Sequence, residues 1–390
     1  MKKSKRLLSI PPYIFSDLER IEAERKRAGQ EVISLGIGDP DLPPSERITD
    51  ALASSLKEEG AHRYSTSAGE PFFRNAIADW YRNRFGVTVD PEMEVCVLIG
   101  SKEGLANIAR GIVDPGDRVL CPDPGYPVYS QGGALLSDAI PEFYQLDENF
   151  LPHLPFRDGS SLIYVNHPNN PTASFATSAD VHNIVESARE SGAVLCYDNA
   201  YSELYFDGDP PPSVLQTPGS MEGLVEMHSL SKTFNMTGFR AGFAVGDSSI
   251  ISSLKKIKSQ IDSGVPRFIQ TAGTVALEMY SGTRRPEEVE SSAREFRSRM
   301  QLLVGGLNDA GFDASMPRGT FYLWLRVSGS GTEFVRDMLN AGVVAVPGIA
   351  FGPAGEHYVR FSVTANISAI RRAIELIGRM PNLKNYLPHH

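Results

Sequence analysis

At 390 residues the chain is too long for one simple core and suits one large and one small domain. With 38 Lys+Arg against 47 Asp+Glu its net charge is −9, which leaves no basic footprint for nucleic acid. Its three cysteines, Cys96, Cys121 and Cys196, are odd in number and two lie in apolar strand-like runs, so they imply no disulfide framework and read as reduced core residues of a cytoplasmic protein.

The start, Met1 to Pro12, is basic but lacks the apolar core of roughly 7–15 residues that a signal peptide needs. Nothing approaches an apolar span of about 18 residues either, so a soluble chain that does not enter a membrane is expected. His389-His390 are set aside. From about residue 46 to 284, short apolar runs alternate with helical stretches, the pattern of a mostly parallel sheet covered on both faces. Strands are predicted at 95–99, 118–121, 162–166, 193–198, 224–229 and 241–245. From Thr283 the texture changes. A long charged helix over 286–310 leads to apolar runs at 321–325, 343–346 and 358–361, then to an amphipathic helix over 367–380.

Four segments carry chemistry. Gly100-Ser101-Lys102-Glu103-Gly104-Leu105 follows an apolar run and opens a helix, where free N–H groups and a hydroxyl make an anion seat; a plain capped helix with Ser101 as the cap is the alternative. Tyr164-Val165-Asn166-His167-Pro168-Asn169-Asn170-Pro171-Thr172 runs from a strand into an Asn/Pro turn, and the Asn170 amide is apt as a donor to a phenolate. Asp198-Asn199-Ala200-Tyr201 closes another strand, where open α/β sheets bind ligands; a helix N-cap is the competing reading of Asp198. In Ser229-Leu230-Ser231-Lys232, with Arg240 eight positions further on, a lysine at a strand exit suits a Schiff-base amine beside an anion clamp. A solvated loop lysine is the plain alternative.

Together these segments resemble the fold-type I pyridoxal phosphate enzymes, and within them the class I/II aminotransferases, over nearly the whole chain. The resemblance rests on the ordered set Gly38, Tyr64, Ser101, Tyr126, Asn170-Pro171, Asp198, Tyr201, Ser229, Lys232, Arg240 and Arg360. Leu35-Gly36-Ile37-Gly38-Asp39-Pro40-Asp41 and Asp123-Pro124-Gly125-Tyr126-Pro127-Val128-Tyr129 are closest in wording to the LL-diaminopimelate aminotransferases and their alanine- and aspartate-transaminating relatives.

The resemblance implies an α/β fold: an N-terminal segment 1–45, a large cofactor-binding domain 46–284 and a small domain 285–390 that both termini build. It implies a homodimer with shared sites and pyridoxal 5′-phosphate as cofactor, with no metal. Lys232 would carry the cofactor and move the proton, Asp198 would pair with the ring nitrogen, and Asn170 and Tyr201 would hold the ring oxygen. Tyr126 would stack on the ring. Ser101, Lys102, Ser229 and Arg240 would hold the phosphate, with Tyr64 reaching it from the partner subunit. Arg360 would grip the substrate carboxylate bidentately. Ile37, Gly38 and Tyr13 would line the substrate pocket, and Arg267 would meet a distal carboxylate; a surface arginine at a helix start is the alternative reading of Arg267.

Two positions depart from the family pattern. Ala173 stands where a glycine is usual, and Ser67 stands where plant-type diaminopimelate enzymes carry a glutamate. A β-lyase or decarboxylating synthase on this fold would keep Lys232, Asp198 and Arg360, so these motifs leave that alternative open. A DNA-binding regulator on the same fold would need an added domain, for which roughly 45 leading residues are too few.

Overall fold

Side chains alternate across a strand, so a strand buried on both faces is largely apolar, and the inner strands of the central sheet follow that pattern. The computed structural model describes residues 2–11 and 14–388; Tyr13 lies outside them. In chain order the strands are β1 (Ile33–Ser34), β2 (Val95–Leu98), β3 (Arg118–Asp123), β4 (Ile140–Gln145), β5 (Leu162–Asn166) and β6 (Val194–Asp198), then β7 (Leu224–Ser229), β8 (Gly242–Gly246), β9 (Tyr322–Arg326), β10 (Val343–Val344), β11 (Val346–Pro347) and β12 (Tyr358–Ser362).

Seven of them form one sheet in the order β2-β8-β7-β6-β5-β3-β4. It is parallel except for β8, which runs against both β2 and β7. Val95 and Val97 pack into one apolar cluster with helix Pro71–Phe85, while Cys96 and Leu98, one residue out of phase, pack on the other face with helices Ser101–Ile112 and Ser248–Lys258. Layers of helices on both sides of a mostly parallel sheet are the expected α/β class.

A separate apolar cluster joins Ile33 and Leu35 to helix Glu287–Asp309, the strands β9 and β12 and helix Ile367–Gly378. Here β1 pairs in parallel with β10, Ile33 opposite Val343, which ties the start of the chain to its end. The strands β11, β12 and β9 form an antiparallel sheet with Arg360 opposite Trp324.

The sequence pattern misses β4 and reads one strand where there are two. The β4 segment, Ile-Pro-Glu-Phe-Tyr-Gln, is an edge strand with half-exposed Ile140 and Phe143, so no continuous apolar run marks it. The run 343–346 divides at Ala345, its two halves pairing in different sheets. Among the described residues, no helix is long and apolar enough to cross a membrane.

Candidate active site

Parallel strands leave their carboxyl ends and the loops beyond them on one side of a sheet, and here those loops face the antiparallel sheet across a cleft of about 350 Å³. Strand β6 ends on Asp198, β7 ends on Ser229, and the short helix Leu230–Thr233 that follows carries Lys232. Asn170 comes from the turn after β5, and Arg360 from the middle of β12.

Lys232 is partly buried, and its Nζ donates to the Gly38 carbonyl at 2.7 Å. Burial lowers its pKa from 10.5 to about 8; Asp39 opposes the shift, while Arg240 and Arg360 add to it. Asp198 is 4 % exposed and does not cap a helix. Its Oδ2 accepts from the Tyr129 hydroxyl at 2.8 Å, whereas its Oδ1 is buried with no hydrogen-bond partner. Burial raises the Asp198 carboxyl to about 6, against the pull of the Tyr129 hydrogen bond.

Arg360 is 1 % exposed. It donates to Asn170 Oδ1 and to the Gly36 carbonyl, each at 2.7 Å, and its guanidinium lies 4.2 Å from the Tyr322 ring centroid and 4.8 Å from that of Phe351. Because Asn170 accepts through Oδ1, its amide nitrogen is the opposite end of the group. Its backbone N–H is fixed by Asn166 Oδ1 at 2.8 Å. Ala173 holds φ 58°, so the turn keeps a left-handed backbone where the family uses glycine, and the Asn170 contacts survive.

The anion seat is built around Gly100, whose φ of 74° ends the β2 loop and starts helix Ser101–Ile112. Gly100 is the cap and Ser101 the first helical residue, which removes the reading of Ser101 as the capping side chain. A Cβ on Gly100 would collide with the Arg240 guanidinium, so glycine here lets that charge lie against the helix start. Arg240 is itself held by the Thr237 carbonyl at 2.8 Å. Ser229 Oγ accepts from Ser231 N at 3.2 Å, and Lys102 Nζ stands 5.7 Å from the Tyr126 ring centroid.

Thus Ile37, Gly38, Ser101, Lys102, Tyr126 and Asn170 meet in one cleft with Asp198, Tyr201, Ser229, Lys232, Arg240 and Arg360. Among the described residues, two expected ones do not line it. Tyr64 is 89 % exposed. Arg267 opens helix Arg267–Glu278 with its side chain 41 % exposed and its Nε 4.0 Å from Glu70 Oε2. Ser67 Oγ donates to the Asp262 carbonyl at 3.2 Å, which joins the Tyr64 loop to the loop before Arg267.

Two phenols of the site carry no signal in the sequence reading. Tyr129 donates to Asp198, and Tyr322 lines the cleft beside Tyr201. The one available cue for Tyr129 is its place three residues after Tyr126, at the start of the irregular helix Val128–Ala134; the two rings meet edge to face with centroids 5.9 Å apart.

Residues 30–377 match the family described as Aminotransferase class I and II. An LL-diaminopimelate aminotransferase of Desulforudis audaxviator (strain MP104C) is 43 % identical over 384 residues, 96 % of each chain. One of the same name from Aquifex aeolicus (strain VF5) is 41 % identical over 391 residues, 98 % of this chain and 99 % of that one. Among solved structures, substrate-bound BacF from Bacillus subtilis superimposes with a TM-score of 0.92 at 30 % identity, over 98 % of both chains.

Proposed function

The chain belongs to the aminotransferase class I and II family, and from that premise we propose that it transfers the amino group of LL-diaminopimelate, or an amino acid of like shape, to a 2-oxo acid on pyridoxal 5′-phosphate. One observation carries the reading: an amine with lowered pKa, a buried carboxylate and a buried guanidinium converge in one cleft, from three different elements.

The residues fit this cofactor. Asp198 Oδ1, buried and without a partner, is the atom that a protonated ring nitrogen would satisfy. The Asn170 amide nitrogen and the Tyr201 hydroxyl would hold the ring oxygen, and Tyr126 would cover a ring face. Ser101, Lys102, Ser229 and Arg240 would hold the phosphate at the helix start. When bound, the cofactor supplies an electron sink for the substrate α-carbon. Lys232 Nζ, neutral in appreciable fraction near pH 8, takes and returns the α-proton. Arg360 fixes the α-carboxylate in a plane, which aims the α-carbon at Lys232.

The working unit is a homodimer. Tyr64, exposed on its own chain, serves the phosphate in the partner's cleft, and Arg267 meets the distal carboxylate there. Three buried free thiols suit the reducing cytoplasm.

The test is a set of half-reactions followed by cofactor absorbance, with LL-diaminopimelate, alanine, aspartate, glutamate and aromatic amino acids supplied one at a time. Conversion to the pyridoxamine band without a 2-oxo acid, fastest with LL-diaminopimelate, is expected. Release of ammonia and a keto acid would replace the transaminase with a lyase. Conversion that favours another amino acid would move the substrate.

A further inference from the structure

Tyr322, the first residue of β9, is 3 % exposed and touches three parts of the cleft at once. Its hydroxyl lies 3.2 Å from the Tyr201 hydroxyl. Its ring face lies 4.2 Å beneath the Arg360 guanidinium. The same hydroxyl fills the space that a Cβ on Gly38 would take, and Gly38 is the residue whose carbonyl accepts from Lys232. Its own backbone N–H is held by Thr320 Oγ1 at 3.1 Å, which fixes where the side chain starts.

We propose that Tyr322 is a positioning residue that sets the pose of Tyr201 and Arg360 together; the inference rests on the cofactor reading of the cleft given above. A phenol has one hydrogen to donate and lone pairs to accept. For Tyr201 to donate to the cofactor ring oxygen, the bond between the two phenols must run from Tyr322 to Tyr201. Tyr322 therefore decides which way the Tyr201 hydroxyl points. On its other side, the Arg360 guanidinium lies 4.2 Å from the Tyr322 ring centroid and 4.8 Å from that of Phe351 while two N–H groups are committed to Asn170 and Gly36. A guanidinium held that way presents its fork at one angle only. One side chain thus links the group that senses the cofactor to the group that grips the substrate carboxylate.

The two contacts separate by substitution in the holoenzyme. Tyr322→Phe keeps the ring face and removes the hydroxyl, whereas Tyr322→Leu removes both. Two readouts independent of turnover apply: the pH titration of the bound cofactor's visible absorbance, and the affinity of an unreactive carboxylate, maleate, read from the same spectrum. Tyr322→Phe is expected to shift the absorbance midpoint by about half a pH unit or more, the size of one neutral hydrogen bond, while maleate affinity stays within about twofold. Tyr322→Leu is expected to shift the midpoint equally and to weaken maleate by about fivefold or more, the scale of a buried cation–π contact. Gly38→Ala, which displaces the hydroxyl without altering Tyr322, should reproduce the Phe midpoint.

A Phe variant that titrates like wild type, or Leu and Phe variants of equal maleate affinity, would overturn the assignment even if the wild-type half-reactions run as expected. A wild-type protein that takes up no cofactor would overturn the reading of the cleft, and the role of Tyr322 with it.

Discussion

Arg360 is the residue whose loss is easiest to size from its surroundings. It is 1 % exposed, so truncation leaves no ready water to replace the guanidinium beside a substrate carboxylate. Removing one partner of a buried, hydrogen-bonded charge pair costs about 2–5 kcal/mol, and the depth of this site argues for about 3–5. At about 1.4 kcal/mol per tenfold, Arg360→Ala should lower kcat/KM for the amino acid by roughly 100- to 4,000-fold. Arg360→Lys keeps a charge but loses the planar fork that reaches Asn170 Oδ1 and the Gly36 carbonyl, so an intermediate loss of about 10- to 100-fold is expected. The control substrate is the primary amine with the same side chain and no carboxylate. Wild type should reject it strongly, and Arg360→Ala should lose most of that discrimination. A loss under tenfold for the amino acid, or undiminished discrimination, would refute the carboxylate clamp. A general collapse of the fold is separable by urea denaturation, where two orphaned acceptors should cost only about 1–3 kcal/mol each.

Three further outcomes are expected. Burial favours the neutral amine of Lys232, so capture of pyridoxal phosphate by the cofactor-free protein should rise about tenfold per pH unit below its pKa and level off. The midpoint should fall near 8, and one near 10.5 would contradict the lowered pKa. Arg84 and Glu203 form a buried pair at 3.0 Å, 4 % and 1 % exposed, with the Tyr280 hydroxyl donating to Glu203 at 2.9 Å; Glu203→Ala should therefore cost about 3–5 kcal/mol in denaturant unfolding, and a loss under about 1 would show that the pair is not isolated from water. Arg267→Ala should lower kcat/KM about a hundredfold for a substrate with a distal carboxylate while sparing alanine, and equal losses for both would trace to folding or cofactor binding instead.

The residues legible from pattern alone are those at or just beyond the end of an apolar run, whereas Gly38, Tyr126, Arg240 and Arg360 are legible only through the family resemblance. Asp198 and Ser229 stand where buried strands stop, and Asn170 lies in the turn four residues past the end of β5, on the side of the sheet where α/β folds bind ligands. Lys232 is legible for the same reason, one turn beyond β7. Tyr129 and Tyr322 are not, because an aromatic ring among apolar neighbours looks like core until its hydroxyl is seen to find Asp198 or Tyr201. Arg267 marks a different limit. Its position in the chain suggests an active-site arginine, yet within one subunit it sits half exposed near Glu70, outside the cleft. The direction of β8 was also illegible, since a strand buried on both faces has the same pattern whichever way it runs.

The central claim is that Lys232 holds the cofactor, and borohydride reduction of the holoenzyme followed by peptide mapping tests it most directly. The account predicts a yellow protein whose reduced cofactor is recovered on the peptide carrying Lys232, and no fixed cofactor in Lys232→Ala. Recovery on any other lysine, or undiminished fixation in Lys232→Ala, would contradict it.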